Sequence, residues 1–448
     1  MASILILNAN IVNEGLIIQG DVYINNQRIE KIGANLAHYG ADQTIDAAGR
    51  FLMPGMIDSH VHFREPGLTY KGNLASESRA AIAGGITSVL DMPNTVPYVL
   101  SAEDIMGKKA LAQGQCWTNY GFYLGASNDN LEAIKAIDPS LACGIKILTG
   151  TPHQNQFWVD DPDRLALIFQ HAPLLVAMHC EDMPTILENE ESYRSIYGDA
   201  IPMDLHPLIR SEDACYKSSS VVVDLARSLK TRLHVLQISS AKELELFDTG
   251  SSADKLITAD TCAHYLQFSN EDYALRGSLI KCDPAIKTAA DRAGLIQGLL
   301  EQRLDCISSG HAPHAWDEKN QGSYFNIPSG FPTVQHALPS LLEGFHEGLF
   351  SLEGIVDNTS HTVAHLFQLK ERGFIREGYW ADLILVDISK PWVAEHENSY
   401  YKCAWTAHFG MEFRSTIDAT IVNGTLVWYE GQFMPTNALG LALEFSRA

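Results

Sequence analysis

Basic side chains, long apolar runs and paired cysteines are all scarce in this chain of 448 residues. Lysine and arginine number 32 against 54 aspartates and glutamates, a formal charge of −22. A nucleic-acid-binding face needs clustered basic groups, so this balance argues against one. No apolar run reaches the ~18 residues that a membrane-spanning helix requires. The opening stretch MASILILNANIVNEG has no basic segment followed by an apolar one, so no secretion signal is expected. The eight cysteines, at 116, 143, 180, 215, 262, 282, 306 and 403, contain no C-x-x-C pair. They read as reduced, mostly buried thiols, which fits a cytoplasmic protein and argues against a structural zinc finger. No G-x-G-x-x-G follows an expected strand, so dinucleotide binding lacks support.

What is present is an ordinary globular composition, 46% hydrophobic and 19% charged. The length suits one large domain and a smaller one. Alternating apolar residues and turn dipeptides predict short strands at both ends of the chain. At the N-terminus these are 4–7, 21–24 and 28–32, with Asn25-Asn26 as a hairpin turn. At the C-terminus they are 381–387, 415–422 and 425–429, with Asn423-Gly424 as a strong turn signal. The simplest arrangement is a small β-sandwich domain built from both termini, residues 1–54 plus 378–448.

Between them, residues 55–377 alternate strand and helix. The expected strands are 55–62, 86–92, 118–124, 144–148, 174–179, 232–238, 255–261 and 304–309. Helical spacing appears at 74–83, 103–112, 163–171, 212–229 and 289–302. Such alternation predicts a parallel sheet, and eight units favour an α/β fold of the (β/α)8 TIM-barrel type over an open doubly wound sheet. In that fold the chemistry sits at the C-terminal ends of the strands. His60 and His62 end the first expected strand, Lys146 lies in the fourth, His179 ends the fifth, and His311 and His314 follow the eighth.

Residues i and i+2 of a strand share a face, so His60 and His62 can grip one ion. A lysine inside a barrel strand is costly unless it is paired or modified. Lys146 therefore reads either as salt-bridged or as carbamylated by CO2, which converts an amine into a bridging carboxylate. His179 reads as a ligand once three other groups aim at the same rim.

The run Pro54-Gly-Met-Ile-Asp-Ser-His60-Val-His62-Phe-Arg64-Glu-Pro-Gly67 resembles the opening motif of dihydroorotases, in the amidohydrolase superfamily. The likeness continues through Asp91-Met-Pro-Asn94-Thr, Gly144-Ile-Lys146-Ile, His179-Cys-Glu-Asp182, His311-Ala-Pro-His314 and Arg376-Glu-Gly-Tyr-Trp-Ala-Asp-Leu383, essentially the whole chain. Allantoinases and hydantoinases share the scaffold, and the Arg64 context resembles dihydroorotases more than either. The resemblance implies zinc, one ion on His60, His62 and carbamylated Lys146, a second on Lys146 and His179. It also implies that Arg64, Asn94 and His314 hold a substrate carboxylate, that the reaction is interconversion of dihydroorotate and N-carbamoyl-aspartate in pyrimidine biosynthesis, and that the protein is a homodimer.

Two positions depart from the family pattern. Gln237 stands where the sixth strand should supply a histidine ligand, and His234, three residues away, points to the opposite face. Gly310 stands where the family has an aspartate that binds metal and carries a proton. Three readings follow: a working hydrolase with Asp260 or His311 as substitute proton carrier, a non-catalytic subunit that partners aspartate carbamoyltransferase, or a mononuclear amidohydrolase for another cyclic amide. Gly310→Asp with Gln237→His is expected to restore hydrolysis if the rest of the site is intact. His153 has no role in this scheme, and His264 reads as structural.

Overall fold

The computed structural model describes residues 3–148, 159, 161–320 and 322–447. His153 lies outside the described residues. The barrel strands are β1 (Met56–Val61), β2 (Ile86–Asp91), β3 (Asn119–Phe122), β4 (Ile145–Leu148), β5 (Val176–His179), β6 (Leu233–Leu236), β7 (Ile257–Cys262) and β8 (Cys306–Ser308). All pair in parallel and in chain order. A two-residue continuation of β3, Leu124–Gly125, makes the link to β4. The ring closes where Val61 bridges His311 and the His62 amide donates to His311 O at 2.8 Å. These strands are buried on both faces, which explains why they read as near-continuous apolar runs.

The intervening helices begin where the sequence supplies caps. Asn73 caps Leu74–Ala83, Ser101 caps Ala102–Ala112, Ser211 caps Glu212–Leu229 and Thr288 caps Ala289–Leu300. The last of these stops two residues short of the expected end, because Gln302 already has a positive φ of 55°.

The terminal strands form a β-sandwich domain of nine hydrogen-bonded strands, eight in one continuous path and the ninth, Gln43–Asp46, paired off it with Ser3–Asn13. Its seam is the antiparallel pairing of Phe51–Pro54 with Leu383–Asp387, which joins the two ends of the chain. Ile4, Ile24, Leu52, Leu383 and Ile421 share its core. The turn expected at Asn25-Asn26 sits one residue later: Asn25 pairs with Arg28, so Asn26 and Gln27 make the turn. Asn423 and Gly424 turn as expected, with φ of 48° and 74°.

Two stretches of the expected small domain pack on the barrel instead. Trp405 donates through Nε1 to His314 O at 2.8 Å. Residues 440–447 run under the barrel floor, where Leu443 is buried and Arg447 donates to Pro139 O, Ala142 O, Cys143 O and Phe367 O. Among the described residues no helix is long and apolar enough to cross a membrane.

Candidate functional site

A cavity of about 270 Å³ opens at the C-terminal ends of the barrel strands. His60, His62, Arg64, Asn94, Lys146, His179 and His314 all line it, and so do the two departures, Gln237 and Gly310. Residues from 60 to 314 meet here because each barrel strand delivers its end to the same rim.

His60 is the last but one residue of β1 and His62 follows the strand, and both line the cavity. Asp58 holds this segment: its Oδ1 accepts from His60 N at 3.2 Å and from Ser309 N at 3.0 Å, tying β1 to β8. The two Nε2 atoms stand 3.3 Å apart. Two nitrogens bound at ~2.0–2.1 Å to a tetrahedral zinc ion are separated by about this much. His62 Nδ1–H donates to Asn94 Oδ1 at 2.6 Å, which leaves its Nε2 lone pair facing the cavity. Burial lowers the pKa of both rings well below the usual imidazole value, so both are neutral at pH 7.

Lys146 on β4 is buried, and its Nζ has no hydrogen-bond partner among the described residues. Among the described residues no acid pairs with it, which disfavours the salt-bridge alternative. Burial lowers its pKa to about 7. A neutral amine in that position is the form that adds to CO2, and an unsatisfied buried ammonium is costly. The His60, His62 and Lys146 set therefore fits a zinc ion.

His179 is placed differently. Its Nδ1 lies 3.0 Å from Gln237 Oε1 and its Nε2 lies 2.8 Å from Glu181 Oε2. Both ring nitrogens are engaged, so the ring joins a metal only by giving up one of these bonds. Glu181 in turn accepts from Arg210 at 2.6 Å, and Arg210 pairs with Asp283 at 2.9 Å. This network is anchored by Ser329 Oγ, which donates to Asp283 Oδ1 at 2.8 Å. Although burial opposes it, the Arg210 charge holds both carboxyl groups below their usual pKa. Gln237 thus replaces a ligand by a group that pins its neighbour.

Arg64 is buried on the cavity wall. Its Nε donates to Pro313 O at 3.1 Å, and one terminal nitrogen lies 3.2 Å from His314 Nε2. Among the described residues no carboxylate forms an ion pair with it, whereas Arg210 has two. Burial lowers its pKa to about 10, so it stays charged at pH 7. Lys71 Nζ donates to His314 Nδ1 at 2.9 Å, so His314 Nε2–H donates to Ser329 O at 3.0 Å. Burial lowers the His314 pKa to about 3. This ring is therefore neutral and packs beside Arg64.

Three expectations need correction. A Cβ at Gly310 would lie 2.7 Å from Cys262 Sγ and 2.9 Å from His264 Cε1, at a φ of +62°. An aspartate does not simply slot in, because Cys262 and His264 have closed over its place. His311 is set back from the cavity, against a role as proton carrier: Nε2 bonds Glu77 at 3.0 Å, Nδ1 accepts from Thr333 N at 3.0 Å, and the ring does not line the wall. Asp260 is also absent from the cavity wall, with Oδ1 accepting from Gln237 N at 2.5 Å.

His264, read as structural, does line the cavity, with Nδ1 3.3 Å from Ser309 O. Glu181, Arg210, Asp283 and Lys71 were assigned no role from sequence. Glu181 had a signal, two residues after His179 in the same motif. Arg210 and Asp283 reach the cavity from loops, with no local pattern to mark them.

The amidohydrolase family profile matches residues 51–192. An allantoinase from Solibacter usitatus (strain Ellin6076) is 30% identical over 436 residues, covering 96% of this chain and 94% of that protein. A dihydroorotase from Halobacterium salinarum (strain ATCC 700922 / JCM 11081 / NRC-1) is 29% identical over 420 residues, covering 91% and 93%. Among solved structures, the L-hydantoinase (dihydropyrimidinase) from Arthrobacter aurescens superposes with a TM-score of 0.94 at 24% identity, over 99% of this chain and 100% of that one. The relatives carry more than one activity name, so they do not single out dihydroorotases. With the barrel, the terminal β-sandwich and the His60–His62 rim all in place, this chain belongs to the amidohydrolase family.

Proposed function

We propose that the protein binds a cyclic amide that carries a carboxylate, of the dihydroorotate type, and hydrolyses it slowly at a single-metal site. The observation that carries this reading is Arg64, a buried guanidinium on the cavity wall with no carboxylate of its own. A guanidinium forks onto a carboxylate bidentately, and the buried setting strengthens the pair. A neutral ring such as hydantoin or allantoin leaves that charge unpaired.

His60, His62 and carbamylated Lys146 would hold a zinc ion. Such an ion supplies a Lewis acid and lowers the pKa of a water to about 7. The chain's own groups do the rest. Asn94 fixes the His62 tautomer, Arg64 orients the ring through its carboxylate, and His179 stays locked by Gln237 and Glu181. No residue at position 310 moves the proton to the leaving nitrogen. Glu181 and Asp283 cannot supply it near neutral pH, since Arg210 holds both ionised. Loss of a positioned proton carrier costs about 10²–10⁴-fold in rate.

The test is a binding comparison on the purified protein, with dihydroorotate, hydantoin and allantoin. Dihydroorotate is expected to bind most tightly. Charge-assisted hydrogen bonds are worth about 1.5–3 kcal/mol. Arg64→Met should therefore weaken dihydroorotate by ~10–100-fold and leave hydantoin unchanged. Tighter binding of either neutral ring, or no effect of Arg64→Met, overturns the reading.

A second reading rests on the closure of Cys262 and His264 over Gly310. On it the chain is a non-catalytic subunit that assembles with aspartate carbamoyltransferase. Co-elution of that enzyme with this chain, with no turnover at any zinc loading, would favour it.

A further inference from the structure

Inside the barrel, outside the cavity wall, β6, β7 and β8 bring His234, Asp260 and Cys306 together. One ligand atom from each lies within 4.8 Å of the others, and all three residues are buried. His234 Nε2 is 3.5 Å from Asp260 Oδ2 and 3.9 Å from Cys306 Sγ. From these contacts we infer a second metal site, a buried zinc-type site separate from the barrel mouth.

Three observations carry the inference. The first is the orientation of the histidine. Thr258 Oγ1 donates to Leu233 O at 3.3 Å, so it accepts from His234 Nδ1–H at 2.9 Å. Tying Nδ1–H in this way leaves the Nε2 lone pair aimed at Asp260 and Cys306, the arrangement that outer partners impose on metal-binding histidines. The second is Asp260 Oδ2, fully buried and without a hydrogen-bond partner among the described residues. Asp260 spends its other oxygen on the Gln237 amide. The third is charge. Asp58, whose Oδ2 is also unpartnered, lies in the same interior, and no arginine or lysine forms an ion pair with either carboxylate among the described residues. Buried carboxylates are paired or coordinate metals. A nitrogen, a carboxylate oxygen and a sulfur make a donor set that suits zinc better than magnesium or calcium.

The occupant distinguishes this site from the mouth, which has no cysteine in its proposed ligand set. Cobalt(II) is the probe. The full chain, produced with cobalt in place of zinc, is expected to show a near-ultraviolet sulfur-to-cobalt charge-transfer band. Cys306→Val keeps the side-chain volume close and should abolish the band and remove one metal per chain. The double variant His60→Ala/His62→Ala should keep the band and lose only the mouth's metal. Thr258→Val, which frees the histidine ring, should weaken metal retention against a chelator by ~10–100-fold. Absence of the band in the unaltered chain, or its survival in Cys306→Val, overturns the inference. A metal count that falls to zero in the His60→Ala/His62→Ala variant overturns it as well.

Discussion

Gly310 matters for its backbone as much as for its missing carboxylate. At a φ of +62° a side chain is strained, and Cys262 Sγ and His264 Cε1 already occupy the space of a Cβ. Gly310→Asp alone is expected to lower stability by ~1–3 kcal/mol, read from urea unfolding, with no gain in hydrolysis. Adding Cys262→Ala removes the closest contact and should recover part of that loss. A Gly310→Asp protein as stable as the parent would show that the wall yields more easily than its packing indicates.

Lys319 offers a test at a second residue. It is buried, and Nζ donates to Lys281 O at 3.1 Å and Pro328 O at 2.9 Å. Burial lowers its pKa to about 7, against a usual value of 10.5. Below about 7 the group is protonated in both states and contributes no slope. Between there and 10.5 the unfolded chain holds more protons, so this group makes stability rise with pH. Unfolding free energies from pH 7 to 10 should show that rise in the parent relative to Lys319→Met. A difference that stays flat with pH would remove the assignment.

At the level of elements, the turn at Asn423-Gly424 does more than reverse a strand. A Cβ on Gly424 would lie 2.0 Å from Asn26 O, in the hairpin turn at Asn26-Gln27. The two ends of the polypeptide touch here, and only glycine permits the approach. Gly424→Ala adds a positive-φ penalty of ~1–2 kcal/mol to that clash, so a loss of at least ~2 kcal/mol is expected in thermal or urea unfolding. The helices behave as their caps dictate, which is why Leu74–Ala83 and Glu212–Leu229 have the limits read from sequence. Barrel strand limits differ by a residue or two, but Ser3–Asn13 and Leu16–Asn25 run five or six residues beyond the expected 4–7 and 21–24, because neighbouring strands decide where a hydrogen-bond ladder ends.

For the whole molecule, the C-terminal segment decides how the parts hold together. Residues 440–447 were assigned by strand content to the small domain, yet they close the barrel floor. Leu443 N donates to Tyr120 O at 2.9 Å, the Tyr120 amide donates to Leu441 O at 3.0 Å, and Arg447 caps four carbonyls. Deleting residues 440–448 should lower the unfolding midpoint and expose the floor of the barrel to hydrogen exchange around β3, while the terminal sheet keeps its protection. Loss of protection in the terminal sheet instead would place the segment's main role there.

The barrel, the terminal β-sandwich and the line of groups at the rim were all legible in the sequence, because strand period, helix caps and turn residues are local properties that survive without tertiary context. His60, His62, Lys146 and His179 could be placed at one rim for the same reason: strand ends in a parallel barrel converge by topology, whereas Arg64 and Asn94 were marked only by the family resemblance. Only the tertiary structure decided what those groups do to one another. It left Lys146 without a hydrogen-bond partner among the described residues, locked His179 between Gln237 and Glu181, and filled the space of the missing aspartate with Cys262 and His264. His179 and Gln237 are 58 positions apart, and no local pattern encodes such a contact.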